Sequence, residues 1–355
     1  MLNVVTITGI RPDFIRMSGV FNKLDCDGDI THTLIHSGQH YDDLLSGVFF
    51  DDLKIRKPDY NLNIGMCSNN HYEQQAVIGP RIIKLLQENN IRADIILFLG
   101  DSNSVLASVP LKKEGYKIGH IEAGMRSFDM RMLEEINRKV CDHVSDYLFV
   151  YHQDYKENLI NEGICPDKIF TVGNTINEPL NIIKNKLSFP KEKSHIILDV
   201  HRPENFKYQD RLKSIIKFSE HCSNRFGLPV KLLNFEKTTY FIKKYCISLN
   251  KINLVPLMGY KKFVKFMMGS SFMISDSGTA QEEASLLNIP VVVPRDYTER
   301  PQSMAHDCSV LLSLNGNKNW STCIDWLMTK PKLDSSWLGE GESSTKILSS
   351  LKKVL

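Results

Sequence analysis

With 355 residues, 42% hydrophobic and 24% charged, the chain is too long for one ordinary core and suits two domains of about 150–200 residues each. A net charge of +3, with Lys and Arg interspersed among Asp and Glu, excludes a nucleic-acid stripe or a basic membrane helix, so affinity for an anion must come from a local pocket. No apolar run approaches the roughly 18 residues that cross a bilayer, and the eight cysteines form neither a C-x-x-C pair nor a zinc-spaced cluster with histidine. No metal and no membrane partner are therefore expected. The opening MLNVVTITGIRP runs straight into a strand pattern without a charged leader, which together with scattered thiols points to a cytoplasmic protein.

Short β-branched runs alternate with longer helical patterns along the whole chain. The predicted strands are Val4–Thr8, Thr31–His36, Asp94–Leu99, Lys117–Ile121, Tyr147–Val150 and Ile169–Val172. After the Lys-rich stretch Lys184–Lys193 the series restarts with Ile196–Val200, Val230–Leu233, Asn253–Pro256, Phe272–Ser275, Pro290–Val293 and Val310–Leu312. Such alternation predicts an α/β protein with two doubly wound, Rossmann-like domains, residues 1–183 and 184–340, and a ligand cleft between them. The tail, residues 341–355, reads as a helix that could return to the first domain.

The chemistry-bearing residues fall just after these strands, where open α/β sheets place their ligands. Thr8-Gly9-Ile10-Arg11-Pro12 ends the first strand, and Arg11 and Arg16 at a helix start make an anion site. It is not a G-x-G-x-x-G fingerprint, so a nicotinamide cofactor is not indicated. His36-Ser37-Gly38-Gln39-His40 offers Gln39 and His40 as hydrogen-bonding groups for sugar hydroxyls. Leu99-Gly100-Asp101-Ser102 delivers Asp101, either as a helix cap or as an acid/base carboxylate. Gly119–Arg138 is the densest stretch, with Glu122, Asp129, Glu134 and Glu135 among Arg126, Arg131 and Arg138; a solvated helix face is the competing explanation. In the second half, Asp199-Val200-His201-Arg202 can meet a phosphate through His201 and Arg202. Ser277, Gly278 and Thr279 present N–H groups and hydroxyls at a helix start, with Glu282 and Glu283 one turn on to reach a ribose, although a capping pattern looks similar. Arg300 closes the run Arg295–Pro301.

Taken in order, the motifs TGIRPDFIRMS, HSGQHYDD, FFDDLKIRKPDYNLNIG, GDSNSVLAS, HIEAGMRSFDMRMLEEINR, VGNTINEPL, HRPENF, DSGTAQEEASLLNIPVV and DYTERP resemble the non-hydrolysing UDP-N-acetylglucosamine 2-epimerase family from Thr8 to Pro301. The resemblance implies a GT-B-like pair of domains, a homodimer, no cofactor, and a UDP-sugar substrate in surface polysaccharide precursor synthesis. It implies catalytic roles for Asp101, Glu122, Glu134 and His201, with Asn174 among the substrate-binding residues. The reaction it implies inverts C2 of a UDP-2-acetamido sugar by eliminating UDP to a 2-acetamidoglycal and adding it back. A hydrolysing epimerase, a GT-B-like glycosyltransferase and a degenerate UDP-sugar-binding protein are the alternatives.

Four places in the sequence depart from the family pattern. Leu133 stands where Pro usually precedes the Glu-Glu pair, and Arg16 replaces a common Lys. Asn234-Phe235-Glu236 replaces a His-Pro pair near the nucleotide, and Asp199 is unusual two residues before His201. No departure removes a proposed catalytic carboxylate.

Overall fold

In the computed structural model, which describes residues 1–38, 47–67, 70–313, 319–329 and 331–355, each apolar run anticipated from the sequence is a β-strand. The chain divides into two compact units: Met1–Pro179 together with Leu338–Leu355, and Leu180–Trp337.

The first unit is built on a seven-stranded sheet. Its strands are β1 (Leu2–Thr8), β2 (Ile30–His36), β3 (Tyr60–Asn61), β4 (Ile95–Leu99), β5 (Ile118–Ile121), β6 (Tyr147–Val150) and β7 (Ile169–Thr171), in the order β3-β2-β1-β4-β5-β6-β7. All of these pairs are parallel. The two-residue β3 is an addition to the predicted set, too short for a hydrophobic run to announce it. β4 is buried along its whole length, as a central strand covered on both faces must be, and its sequence IILFL is accordingly apolar throughout.

The second unit has six parallel strands: β8 (His195–Asp199), β9 (Val230–Leu233), β10 (Ile252–Val255), β11 (Ser270–Ser275), β12 (Val291–Val293) and β13 (Ser309–Leu311). Their order is β10-β9-β8-β11-β12-β13. In each sheet the strand order reverses once, between β1 and β4 and between β8 and β11. At such a switch point neighbouring connections leave toward opposite faces, opening a crevice at the strand C-termini.

The last helix, Ser343–Val354, packs on the helix Arg11–Cys26 of the first unit. Polar ties accompany the packing: Ser344 N donates to Glu178 Oε1 (2.7 Å), Tyr147 Oη to the Val354 carbonyl (3.2 Å), and Lys352 Nζ to Asp27 Oδ1 (2.8 Å).

The turns after β4 and β5 are held by a buried cluster of charge. His120, on β5 and fully buried, places Nδ1 2.6 Å from Asp142 Oδ1 and Nε2 2.8 Å from the Gly100 carbonyl. A carbonyl can only accept, so Nε2 carries a proton; with Nδ1 facing a carboxylate, the ring is an imidazolium. Asp142 Oδ2 also accepts from Gly124 N (3.1 Å) and pairs with Arg126 Nη1 (2.8 Å). Arg126 continues to Glu162 through two bonds of 2.9 and 2.6 Å. Burial alone would lower the pKa of His120, but Cys141 and Asp142 beside it raise it well above the usual histidine value. Burial opposes the Asp142 charge too, and His120 and Arg126 nevertheless hold its carboxyl below the ordinary range.

Two outcomes follow from this packing. Gly124 has φ +74°, and a Cβ there would run into the Tyr155 carbonyl and the Leu159 side chain. Gly124→Ala should therefore destabilise the fold by roughly 2 kcal/mol or more in urea unfolding, while Gly28→Ala, facing open space, stays within about 0.5 kcal/mol. Asp142→Asn leaves His120 buried without its counter-charge, while Arg126 keeps Glu162, and should cost about 3–5 kcal/mol. The pH dependence has a definite sign. The contribution of His120 is complete below the ordinary histidine pKa and fades as pH rises through its raised value. That of Asp142 is present above the ordinary carboxylate pKa and fades as pH falls through its lowered value. The difference between the parent protein and Asp142→Asn should thus be flat between the ordinary carboxylate and ordinary histidine values and shrink on both sides, already declining above neutral pH.

Candidate active site

Three turns of the first unit converge around Glu122. The residue directly follows β5, is 1% exposed, and adopts the left-handed conformation with φ +69°. A glutamate pays for that geometry in steric strain, and such residues concentrate where function fixes them. Arg16, buried on the helix Arg11–Cys26, forms an ion pair with the Glu122 carboxylate. Gly100, after β4, completes the group: a Cβ there would sit 3.4 Å from Glu122 Oε1 and 3.5 Å from Arg16 Nη1. Gly9, after β1, is packed so closely on Ser102 and Ser104 that a side chain at that position would overlap both hydroxyls. The β1 and β4 turns thereby meet at the switch point.

Asp101 follows Gly100. Its carboxylate pairs with Arg138, and its carbonyl accepts from Asn137 Nδ2 at 2.8 Å. Both partners lie on the helix Leu133–Val144, so Asp101 is held from the same element that carries Glu134. Glu134 is half-buried in the first turn of that helix. Its neighbour Glu135 is fully buried and organises the preceding loop, accepting from Ser127 N (2.9 Å), Ser127 Oγ (3.0 Å) and Phe128 N (3.2 Å). Leu133 is the first residue of the helix and exposed, the position at which a proline is best tolerated but not required. The helix therefore starts where the family proline would start it.

Arg11 opens the first helix. Arg126 and Arg138 are brought close to the turns but are engaged by carboxylates: Asp142 and Glu162 for the former, Asp101 and Glu135 for the latter. Asn174 is buried, with Oδ1 accepting from Ile176 N at 2.9 Å, so its side chain shapes its own turn. Gln39 and His40 lie outside the described residues. Asp13, not singled out from sequence, is buried at the first turn and accepts from Gly9 N (2.6 Å) and Ile10 N (3.0 Å). Burial pushes its carboxyl up to about 6, with Asp101 adding to the rise and the two N–H bonds opposing it. The sequence signal for it was the acidic residue three positions after a turn, at the N3 capping position.

In the second unit the turns after β8 and β11 are joined by Asp276. Its carboxylate accepts from His201 N (3.1 Å), Arg202 N (3.1 Å) and Asn205 Nδ2 (2.9 Å). His201 Nδ1 lies 2.9 Å from Asp199 Oδ1. Asp199, His201 and Asp276 bring three potential metal-ligand atoms within 4.8 Å of one another. The oxygens, however, are already bonded to N–H groups, to Ser275 Oγ (2.7 Å) and to His201 itself, the donor set of a charge-paired histidine.

Ser277 caps the helix Gly278–Leu286, its hydroxyl accepting from Ala280 N at 3.3 Å, with Thr279 half-buried beside it. Gly278 allows the close approach of Arg300 and Glu299, which a Cβ would block. Arg300 is buried and binds Glu282 Oε1 (2.8 Å) and Glu299 Oε1 (2.9 Å). The other oxygen of Glu282, Oε2, is buried and has no partner among the described residues. Glu283 faces Tyr260, whose phenol is raised well above its usual pKa by burial and by that carboxylate. Arg202 reaches toward Glu299, at 3.7 Å.

The family model for UDP-N-acetylglucosamine 2-epimerase matches residues 22–352. The chain is 32% identical to the UDP-N-acetylglucosamine 2-epimerase of Methanococcus maripaludis, with 98% of each chain covered. It is 30% identical to the UDP-2,3-diacetamido-2,3-dideoxy-D-glucuronate 2-epimerase of Pseudomonas aeruginosa, over 99% of this chain and 100% of that one. Among solved structures it is similar to the Methanocaldococcus jannaschii UDP-GlcNAc 2-epimerase in complex with UDP-GlcNAc and UDP, with a TM-score of 0.89 and 30% identity over 99% of this chain and 100% of that chain. Two parallel-sheet α/β units of the GT-B-like class, the ordered strand-end motifs and a match over almost the full length lead to one conclusion: the chain belongs to the UDP-N-acetylglucosamine 2-epimerase family.

Proposed function

We propose that the chain inverts C2 of a UDP-linked 2-acetamido sugar, UDP-GlcNAc to UDP-ManNAc or a close relative, as a step toward surface polysaccharide precursors. The observation that carries this reading is Glu122: a buried carboxylate held in a left-handed turn against Arg16, beside the Gly100–Asp101 turn, in a chain of this family. The C2 proton neighbours no carbonyl, so simple deprotonation leaves an unstabilised carbanion. Elimination avoids this. A base takes the C2 proton, the C–H electron pair becomes the C1=C2 bond of a 2-acetamidoglycal, and the C1–O pair departs with UDP. In the return step a UDP oxygen adds to C1 while a proton reaches C2 from the opposite face.

Two faces require two acid/base groups, and Asp101, Glu122 and Glu134 are the carboxylates for them. Arg16 fixes the Glu122 carboxylate, and Arg138 does the same for Asp101. Charge develops on the departing diphosphate, where Arg11, His201, Arg202 and the N–H groups of Ser277–Thr279 serve as donors. Glu282, through its unpartnered Oε2, suits a ribose hydroxyl. Arg126, Asn174 and Arg300, substrate-binding candidates from the sequence, are engaged by other groups of the protein. A homodimer working in the cytoplasm belongs to the same reading, and eight free cysteines suit a reducing compartment.

The test is incubation with UDP-GlcNAc in deuterated water, followed by NMR. Deuterium at C2 of the recovered UDP-sugar is the expected result; free N-acetylmannosamine would point to hydrolysis, and UDP binding without exchange at C2 of any UDP-2-acetamido sugar would refute the proposal. Glu122→Gln should slow C2 exchange by about 10³-fold or more while UDP affinity stays within a few fold.

A further inference from the structure

Asp199 and His201 flank Val200 at the end of β8, and their side chains meet. Asp199 is buried, its Oδ1 2.9 Å from His201 Nδ1 and its Oδ2 accepting from Ser275 Oγ on the adjacent β11 at 2.7 Å. Asp276 Oδ1 lies 3.4 Å from the same Nδ1. Phe235 covers the ring from another side, with centroids 5.0 Å apart at 45°. One nitrogen and one flank of the imidazole are thus fixed. The remaining nitrogen, Nε2, has no protein partner among the described residues, and the side chain is 31% exposed.

We propose that Asp199 is a positioning residue for the reaction: it fixes the His201 ring so that Nε2–H is the donor offered to the diphosphate of bound UDP. This rests on the reading of His201 as a diphosphate contact.

The arrangement has a chemical consequence. An ionised carboxylate only accepts, so Nδ1 must carry a proton while it is bonded to Asp199. A neutral His201 would then present a bare Nε2 lone pair to the phosphate oxygens. Only the imidazolium donates from both nitrogens. Burial disfavours that charge, and the carboxylates of Asp199 on β8 and Asp276 after β11 overcome it; Arg202 in the same turn acts against them. The balance raises the pKa of His201, so the donor is complete below the ordinary histidine value and is lost as pH rises through the raised one.

UDP affinity measured by calorimetry between pH 5.5 and 8.5 tests the proposal on the full chain, with Asp199→Asn and His201→Ala alongside. At pH 5.5 Asp199→Asn should bind within about twofold of the parent, and the gap should open, to about tenfold at most, as pH rises between the His201 titrations of the two proteins, the size of one charge-assisted hydrogen bond. His201→Ala should be weak throughout. If Asp199→Asn follows the parent at every pH while His201→Ala is weak, the positioning role falls and the diphosphate contact stands. If His201→Ala binds like the parent, the contact itself falls, and this proposal with it. A second measurement needs no variant. The His201 ring, followed by NMR in the unliganded parent, should titrate above 6.5; titration at or below that value overturns the role of Asp199 even if Asp199→Asn fails to fold.

Discussion

The site in the first unit depends on one buried interaction, the imidazolium–carboxylate–guanidinium chain of His120, Asp142 and Arg126. None of these groups is proposed to do chemistry, yet the chain grips the two turns that carry proposed acid/base carboxylates. His120 holds the Gly100 carbonyl, Asp142 holds the Gly124 amide, and Arg126 ties the result to Glu162. Between those two grips lie Asp101 and Glu122. Removing charges from water is costly, and a hydrophobic cluster of equal volume would hold the sheet as well. What it could not do is bind a carbonyl and an amide directionally on two adjacent turns. The charge cluster is therefore best understood as a device for register at the strand ends.

The second unit uses the same logic with different residues. Asp276 gathers N–H groups from the turn after β8, so that the two turns flanking the switch point are tied to each other. Around it, Glu299 is shared by Arg295 and Arg300, with Arg202 nearby. In both units an acceptor-only carboxylate binds the backbone of one turn to another element, and the groups assigned to substrate stand at the edges of that frame.

Much of this was legible in the sequence, and the limits are physical. The strands were readable because parallel, doubly covered strands are apolar, as β4 is along its whole length and β8 is in its Ile196–Leu198 centre. The turns were readable because ligand chemistry in such sheets is confined to strand C-termini, which put Asp101, Glu122 and His201 in view together. What could not be read was the direction of each side chain. Glu134 and Glu135 are adjacent and chemically identical, and only the helix phase separates the half-buried one from the fully buried loop anchor. The pairing of Arg126 and Arg138 could not be read because their carboxylate partners, Asp142 and Asp101, are distant in sequence. Asp142 itself carried no local signal, sitting in the last turn of a helix like any surface acid. Asp199 did announce itself as an oddity, but its pairing with His201 needed the strand end to bring positions two apart onto one side.

Glu122 shows where the demands on this chain diverge. Its backbone occupies a region that glycine enters freely and glutamate does not, at φ +69°, with the carboxylate sealed from solvent. Selection for folding alone would place glycine there, as it has at 100 and 124 on either side. A glycine there would relieve the backbone but leave the buried Arg16 without its carboxylate, so backbone ease and charge pairing pull against each other at this one position. The strained backbone at Glu122 is tolerated because its carboxylate and the Arg16 guanidinium each leave the other no better partner inside the sheet edge.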